Sequence, residues 1–224
     1  MTALGTPRLH LRSTDSTNER AKAMAAGAPH GMLITASAQT AGHGRQGRTW
    51  TTPAGEALLM SLVLHDWPEL LPLAAAVAVA HTAGERAQIK WPNDVLIDGR
   101  KVAGILVEGR PQEGWAVLGI GVNVAVREFP DELRDIAGSL GREPAAVEPF
   151  LTALLAALDP LLTAAPAEVL EAWRARDALL GRPITWNGGE GVAAGVDDDG
   201  HLLVDLPDGT TTALRAGEVH LGTR

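Results

Sequence analysis

The chain has 224 residues, of which 46% are hydrophobic and 21% charged, with a net charge of −8 and neither cysteine nor tyrosine. That length suits one large domain, or a core domain with a small appendage. The missing cysteines exclude disulfides, thiolate metal sites and a cysteine nucleophile, and the acidic balance argues against a basic face that grips duplex DNA.

Met1 to Arg12 lacks the apolar core of a secretory signal. The most apolar run, Leu70 to Ala80, is too short to span a bilayer and is interrupted by Pro72. A cytoplasmic protein without a membrane span is expected. Ser16-Thr17-Asn18-Glu19 has the capping-box pattern, with strong helix formers after it and Gly27 placed to stop the helix. Met32 to Ala38 reads as a strand, and the unbroken apolar run Ala57 to Leu64 as a strand buried on both faces. Leu73 to Thr82 has helix length. Ile89 to Glu108 reads as strands around two turns, at Pro92-Asn93-Asp94 and at Asp98-Gly99. Trp115 to Val126 is a further strand, and Val147 to Leu162 and Ala167 to Leu180 are periodic helices. From Arg182 the texture changes to short strands with turns at Asn187-Gly188-Gly189, Asp199-Gly200 and Asp208-Gly209. That pattern predicts a small β-barrel of about 40 residues. The expected organisation is a domain over 1–180 packed directly on a barrel over 181–224.

Two polar stretches stand out. In Gln39 to Trp50, Gly42, Gly44 and Gly47 satisfy G-x-G-x-x-G, but the following Arg48-Thr49-Trp50-Thr51-Thr52-Pro53 is poor helix material. A dinucleotide site needs a helix to open at the glycines, so that reading fails. A loop that closes over an anion fits better: glycines let backbone N–H groups approach closely, and Arg45 and Arg48 add bidentate donors. In Lys90 to Gly104, a hairpin brings Lys90 and Lys101 toward one side, and Gly104 inside an apolar strand signals a close approach to the backbone.

Together with Asp15-Ser16-Thr17-Asn18 and Gly119-Ile120-Gly121-Val122-Asn123, these stretches resemble the biotin protein ligase family, in the short form without an N-terminal DNA-binding domain. That family carries a glycine/arginine loop ending in Trp, a Lys-Trp-Pro-Asn-Asp segment followed by a lysine, and a last strand like Gly217-Glu218-Val219-His220-Leu221. The resemblance implies an α+β fold: a class II synthetase-like mixed sheet flanked by helices, with a C-terminal SH3-like barrel. It implies formation of biotinyl-5′-AMP from biotin and ATP, with magnesium, then transfer of biotin to a lysine of a carboxylase's biotin carboxyl carrier domain. By the same resemblance, Lys101, Arg45, Arg48 and Lys90 carry the chemistry. Ser16, Thr17, Asn18, Gln39, His43, Gly44, Arg45, Trp50, Lys101 and Gly104 bind biotin. Arg45, Arg48, Lys90, Asn93, Lys101 and Asn123 bind the nucleotide, and metal ligands are not assigned.

Fixed positive charge is what joining a carboxylate to an α-phosphate requires. His43 departs from the family, which commonly has arginine there, and histidine is charged only conditionally. Too few residues precede Asp15 for a helix-turn-helix, so no DNA binding is expected. A homodimer and a monomer are both open. The competing readings are a lipoate or octanoate protein ligase of the same fold, and a non-catalytic biotin-binding module.

Overall fold

A computed structural model describes residues 4–221; positions 222–224 of the expected barrel lie outside the described residues. Strands β1 (Arg8–Leu11), β2 (Leu33–Ala36), β3 (Ala57–Leu64), β4 (Ala87–Lys90), β5 (Asp94–Ile97), β6 (Arg100–Arg110) and β7 (Trp115–Asn123) form one mixed sheet. Their order is β1-β2-β3-β7-β6-β5-β4. The β1–β2 pair is parallel and the other neighbours are antiparallel.

β3 has the bounds its apolar run predicts, and every residue in it is buried. Leu58, Met60, Leu62 and Leu64 face the main core under helix α2 (Leu71–Ala83), while Val63 joins Ala21 and Ala25 on the opposite side, beneath helix α1 (Thr17–Met24). Side chains alternate along a strand, so Ser61 points the same way as Val63. Burying a leucine contributes about 1.5–3 kcal/mol, so β3, with four leucines at 2% exposure or less, is the rigid floor of the site. α2 is apolar all round because it is covered on both sides: by the sheet, and by helices α3 (Val147–Leu161) and α4 (Pro166–Arg174). With its preceding turn, α3 is the one helix among the described residues apolar and long enough to cross a membrane. Its Phe150, Leu151, Leu154 and Leu158 face is packed into the core instead.

Two expectations change. Ser16 stands at the N-cap of α1 but makes no side-chain cap bond. The Gln39 carbonyl oxygen takes its place, accepting from Thr17 N at 2.7 Å, and Glu19 turns to Lys22 at 2.7 Å. The last helix stops at Arg174 rather than Leu180, because the chain beyond it is recruited to the edge of the sheet. Ile89 N donates to Arg176 O at 2.7 Å and Ala178 N donates to Ile89 O at 2.9 Å. This closes the open side of β4. The Asp98-Gly99 turn forms as expected, with φ of 52° and 76°, the positive values a tight hairpin needs.

The second sheet is antiparallel and ordered β11-β10-β9-β8-β12, from β8 (Pro183–Trp186), β9 (Gly189–Val196), β10 (Leu202–Asp205), β11 (Thr211–Leu214) and β12 (Val219–Leu221). Its buried Ile184, Val196, Leu202 and Val204 belong to the same core cluster as α2. Trp91, 3% exposed, donates its indole N–H to Gly200 O at 3.0 Å across this junction. Trp91→Phe leaves that carbonyl unpaired, so a loss of about 1–3 kcal/mol is expected in urea unfolding. An unchanged midpoint would show the junction does not depend on the bond.

Candidate functional site

β7 creates the space for the site. Gly119 and Gly121 share the face of β7 that looks toward α1, and there they leave a trough. A Cβ on Gly119 would lie 2.1 Å from Asn18 Oδ1, and one on Gly121 2.7 Å from the Trp50 ring. Neither strand position tolerates a side chain. Trp50 also covers Gly104 of β6, where a Cβ would meet it at 3.2 Å. The close approach expected at Gly104 is this indole.

Ser16, Thr17 and Asn18 are buried at the start of α1. Thr17 Oγ1 donates to Gln39 Oε1 at 3.0 Å. Ser61 Oγ lies 2.8 Å from Thr17 Oγ1 and 2.6 Å from Asn18 Oδ1. Hydroxyl, amide and carbonyl groups thus converge at one end of the trough.

The glycine loop is a small hairpin. Gly44 N bonds Arg48 O at 2.7 Å, Trp50 N bonds Gly42 O at 2.8 Å, and its tip turns at Gln46 and Gly47, with φ of 57° and 75°. Only one 3₁₀ turn, Arg45–Gly47, forms there and no α-helix opens, which is why the dinucleotide pattern carries no dinucleotide geometry. Arg45 Nη1 donates to Asn93 Oδ1 at 3.3 Å, and Arg48 pairs with Glu218, just before β12 of the second sheet. His43 faces acids: its Nε2 lies 3.5 Å from Glu19 and 3.6 Å from Glu108.

Lys101 Nζ stands 2.5 Å from Asp94 Oδ1 and 5.6 Å from the Trp50 ring centre. Burial pulls the Lys90 ammonium below the ordinary lysine range, Asp94 opposes this, and Lys101 and Arg48 add to it. The lysines therefore converge on one side, as the hairpin predicts. Around them lies a cleft of about 110 Å³, open to solvent. Ser16, Thr17, Asn18, Gln39, His43, Gly44, Arg45, Arg48, Trp50, Lys90, Asn93, Lys101 and Gly104 all line it.

Asn123 is the predicted contact that the fold does not bring there. It is 4% exposed, and its Nδ2 donates to Gly138 O at 2.9 Å. The amide ties the end of β7 to the following loop, whose Ile136 O accepts from Lys101 N at 2.8 Å. Sequence reasoning missed Ser61, Asp94, Glu108 and Glu218. Ser61 carried a signal, as the polar residue of an eight-residue apolar strand. So did Glu108, a carboxylate ending the apolar run of β6. Glu218 carried none, because its partner is 170 positions away.

Residues 10–124 match the Biotin/lipoate A/B protein ligase family, and residues 179–222 match the Biotin protein ligase C terminal domain. The biotin–[acetyl-CoA-carboxylase] ligase of Paracoccus denitrificans is 36% identical, over 95% of this chain and 99% of that protein. The bifunctional ligase/repressor BirA of Bacillus subtilis is 36% identical, over 87% of this chain and 67% of that protein. The structure of Aquifex aeolicus biotin protein ligase in complex with biotin and ATP is similar, with a TM-score of 0.85, 26% identity, and coverage of 97% of this chain and all of that one.

The Arg48–Glu218 pair holds the loop against the second sheet. Part-exposed pairs contribute up to about 1 kcal/mol, so Glu218→Ala should speed tryptic cleavage at Arg45 and Arg48 by about two- to fivefold. Parental cleavage rates would mean the loop is held by other contacts.

Proposed function

Because the chain belongs to the biotin/lipoate A/B protein ligase family, we propose that it is an ATP-dependent biotin protein ligase that biotinylates the carrier domain of a carboxylase. It forms biotinyl-5′-AMP from biotin and ATP and then hands biotin to a carrier lysine. The observation that carries this is the convergence of Arg45, Arg48, Lys90 and Lys101 on a cleft whose far end is polar and neutral. An acid with an uncharged, hydrogen-bonding head and a carboxylate tail matches that gradient.

In the first step a biotin carboxylate oxygen attacks the α-phosphorus and pyrophosphate leaves. Two anions must meet, and preorganised cations lower the cost most where charge develops. Lys101, leaning on the Trp50 face and held by Asp94, is suited to bridge carboxylate and α-phosphate. Arg45 and Arg48 offer fork-shaped donors to phosphate oxygens. Thr17, Asn18 and Gln39 suit the ureido head, since amides and hydroxyls both donate and accept. In the second step the carrier amine attacks the acyl carbon and AMP leaves, so the enzyme needs no covalent nucleophile. Positioning carries the rate.

Magnesium is expected with ATP and favours oxygen ligands shared between carboxylate and phosphates. Asp94, the carboxylate of the lining beside the lysines, is engaged by Lys101 at 2.5 Å, so the nucleotide's own phosphate oxygens would supply the ion's ligands. The bound ion would screen charge on the β- and γ-phosphates. The absence of cysteine agrees with action in the cytoplasm.

Biotin-dependent ATP–pyrophosphate exchange tests the proposal: exchange with biotin supports it, and exchange with lipoate alone would select a lipoate ligase. Lys101→Ala should slow adenylate formation by about a hundredfold or more while ATP still binds; a parental rate would remove Lys101 from the chemistry. The depressed Lys90 gives a pH signature. Its charge is present at low pH and is lost as pH rises, earlier than for an exposed lysine, so exchange should fall on the alkaline side below the ordinary lysine range. Lys90→Arg, which stays charged, should move that limb upward. An unmoved limb would assign it to another group.

A further inference from the structure

Glu108 stands near the end of β6. Gly104, Leu106 and Glu108 point to one face of that strand, and the first two line the cleft while Glu108 sits just beyond it. Its side chain is 28% exposed, and a half-buried carboxylate is costly unless it is paired. It meets three residues on two elements. Oε1 accepts from Lys22 Nζ of α1 at 2.7 Å. Oε2 accepts from Asn18 Nδ2 at 2.8 Å and lies 3.6 Å from His43 Nε2 of the glycine loop. Burial pushes the Glu108 carboxyl upward, but hydrogen bonds from Lys22 and Asn18 outweigh it and hold the group below the usual range.

Glu19, His43 and Glu108 have the spacing of a metal site. Lys22, however, already lies 2.7 Å from both carboxylates and supplies the positive charge there. The cluster is a strut rather than a metal centre.

What the strut holds is Asn18. A side-chain amide can turn over and exchange its donor for its acceptor. Here Ser61 Oγ, 2.6 Å from Oδ1, and Glu108, at Nδ2, select one orientation. Gly119 beneath leaves no slack. Asn18 keeps one N–H and one lone pair, the complement of a cyclic urea.

We infer that Glu108 is a positioning residue of the acid-binding end: it orients the Asn18 amide that recognises the acid's head. The inference rests on the biotin-ligase reading. Glu108 touches no part of the cleft itself and acts through Asn18.

Steady-state exchange kinetics on Glu108→Gln, Asn18→Ala and the double variant test it. Glu108→Gln keeps the size but brings an NH₂ group against Lys22 or Asn18, both donors. Its KM for biotin should rise about tenfold or more, with KM for ATP within about twofold. Because Glu108 acts through Asn18, adding Glu108→Gln to Asn18→Ala should raise KM for biotin by no more than about twofold. A parental KM for biotin in a variant with a parental melting temperature overturns the inference, and so does a double variant showing the full product of the single effects. If Glu108→Gln does not fold, Glu108→Asp, which keeps the charge but withdraws it from Asn18, replaces it under the same criteria. A parent enzyme without biotin-dependent exchange overturns the ligase reading, and the inference with it.

Discussion

The missing side chains at Gly119 and Gly121 are the constraint on which the site depends. β7 lies in the middle of the sheet, between β3 and β6, where a bulky residue would ordinarily fill space under a helix. Leaving that face bare opens a trough, and two side chains from distant segments descend into it: Asn18 at one end and Trp50 at the other. The first brings the polar end of the site. The second brings the glycine loop, and with it Arg45 and Arg48. The rigid leucines of β3 make the trough affordable, because the opposite face of the same strand is sealed under α2.

The second constraint is charge. Four cations around one cleft repel one another, and burial makes this worse: it pulls both Lys90 and Arg45 below their ordinary ranges. The chain offsets this with acids placed beside the cations. Asp94 meets Lys101, and Glu218, just before β12, reaches Arg48. Such pairs hold the cations in position, and a phosphate can displace the acid. Positive potential is thus already assembled around the cleft in the fold.

Much of this was legible in the sequence because it is local. The run Ala57 to Leu64 has one polar residue and no breaker, so it reads as a doubly buried strand. Asp98-Gly99 demands positive φ and can only be a tight turn. The loop and hairpin residues converge because the hairpin geometry makes them. The failures are long-range. Gln39 replaces Ser16 as the cap of α1 across 22 positions, and the end of the last helix is lost to pairing with Ile89. Asn123 lies outside the cleft's lining, with its Nδ2 on Gly138 O of the following loop. In each case a short pattern was right about the residue's chemistry and silent about which partner would claim it.

A crystal structure with a non-hydrolysable biotinyl-adenylate analogue would show which groups the trough holds. The ureido head is expected over Gly119, within hydrogen-bond distance of Thr17 and Asn18, with the acyl–phosphate junction between Lys101 and Arg45. A head group lying elsewhere, with the trough over Gly119 and Gly121 still covered only by Asn18 and Trp50, would contradict that placement.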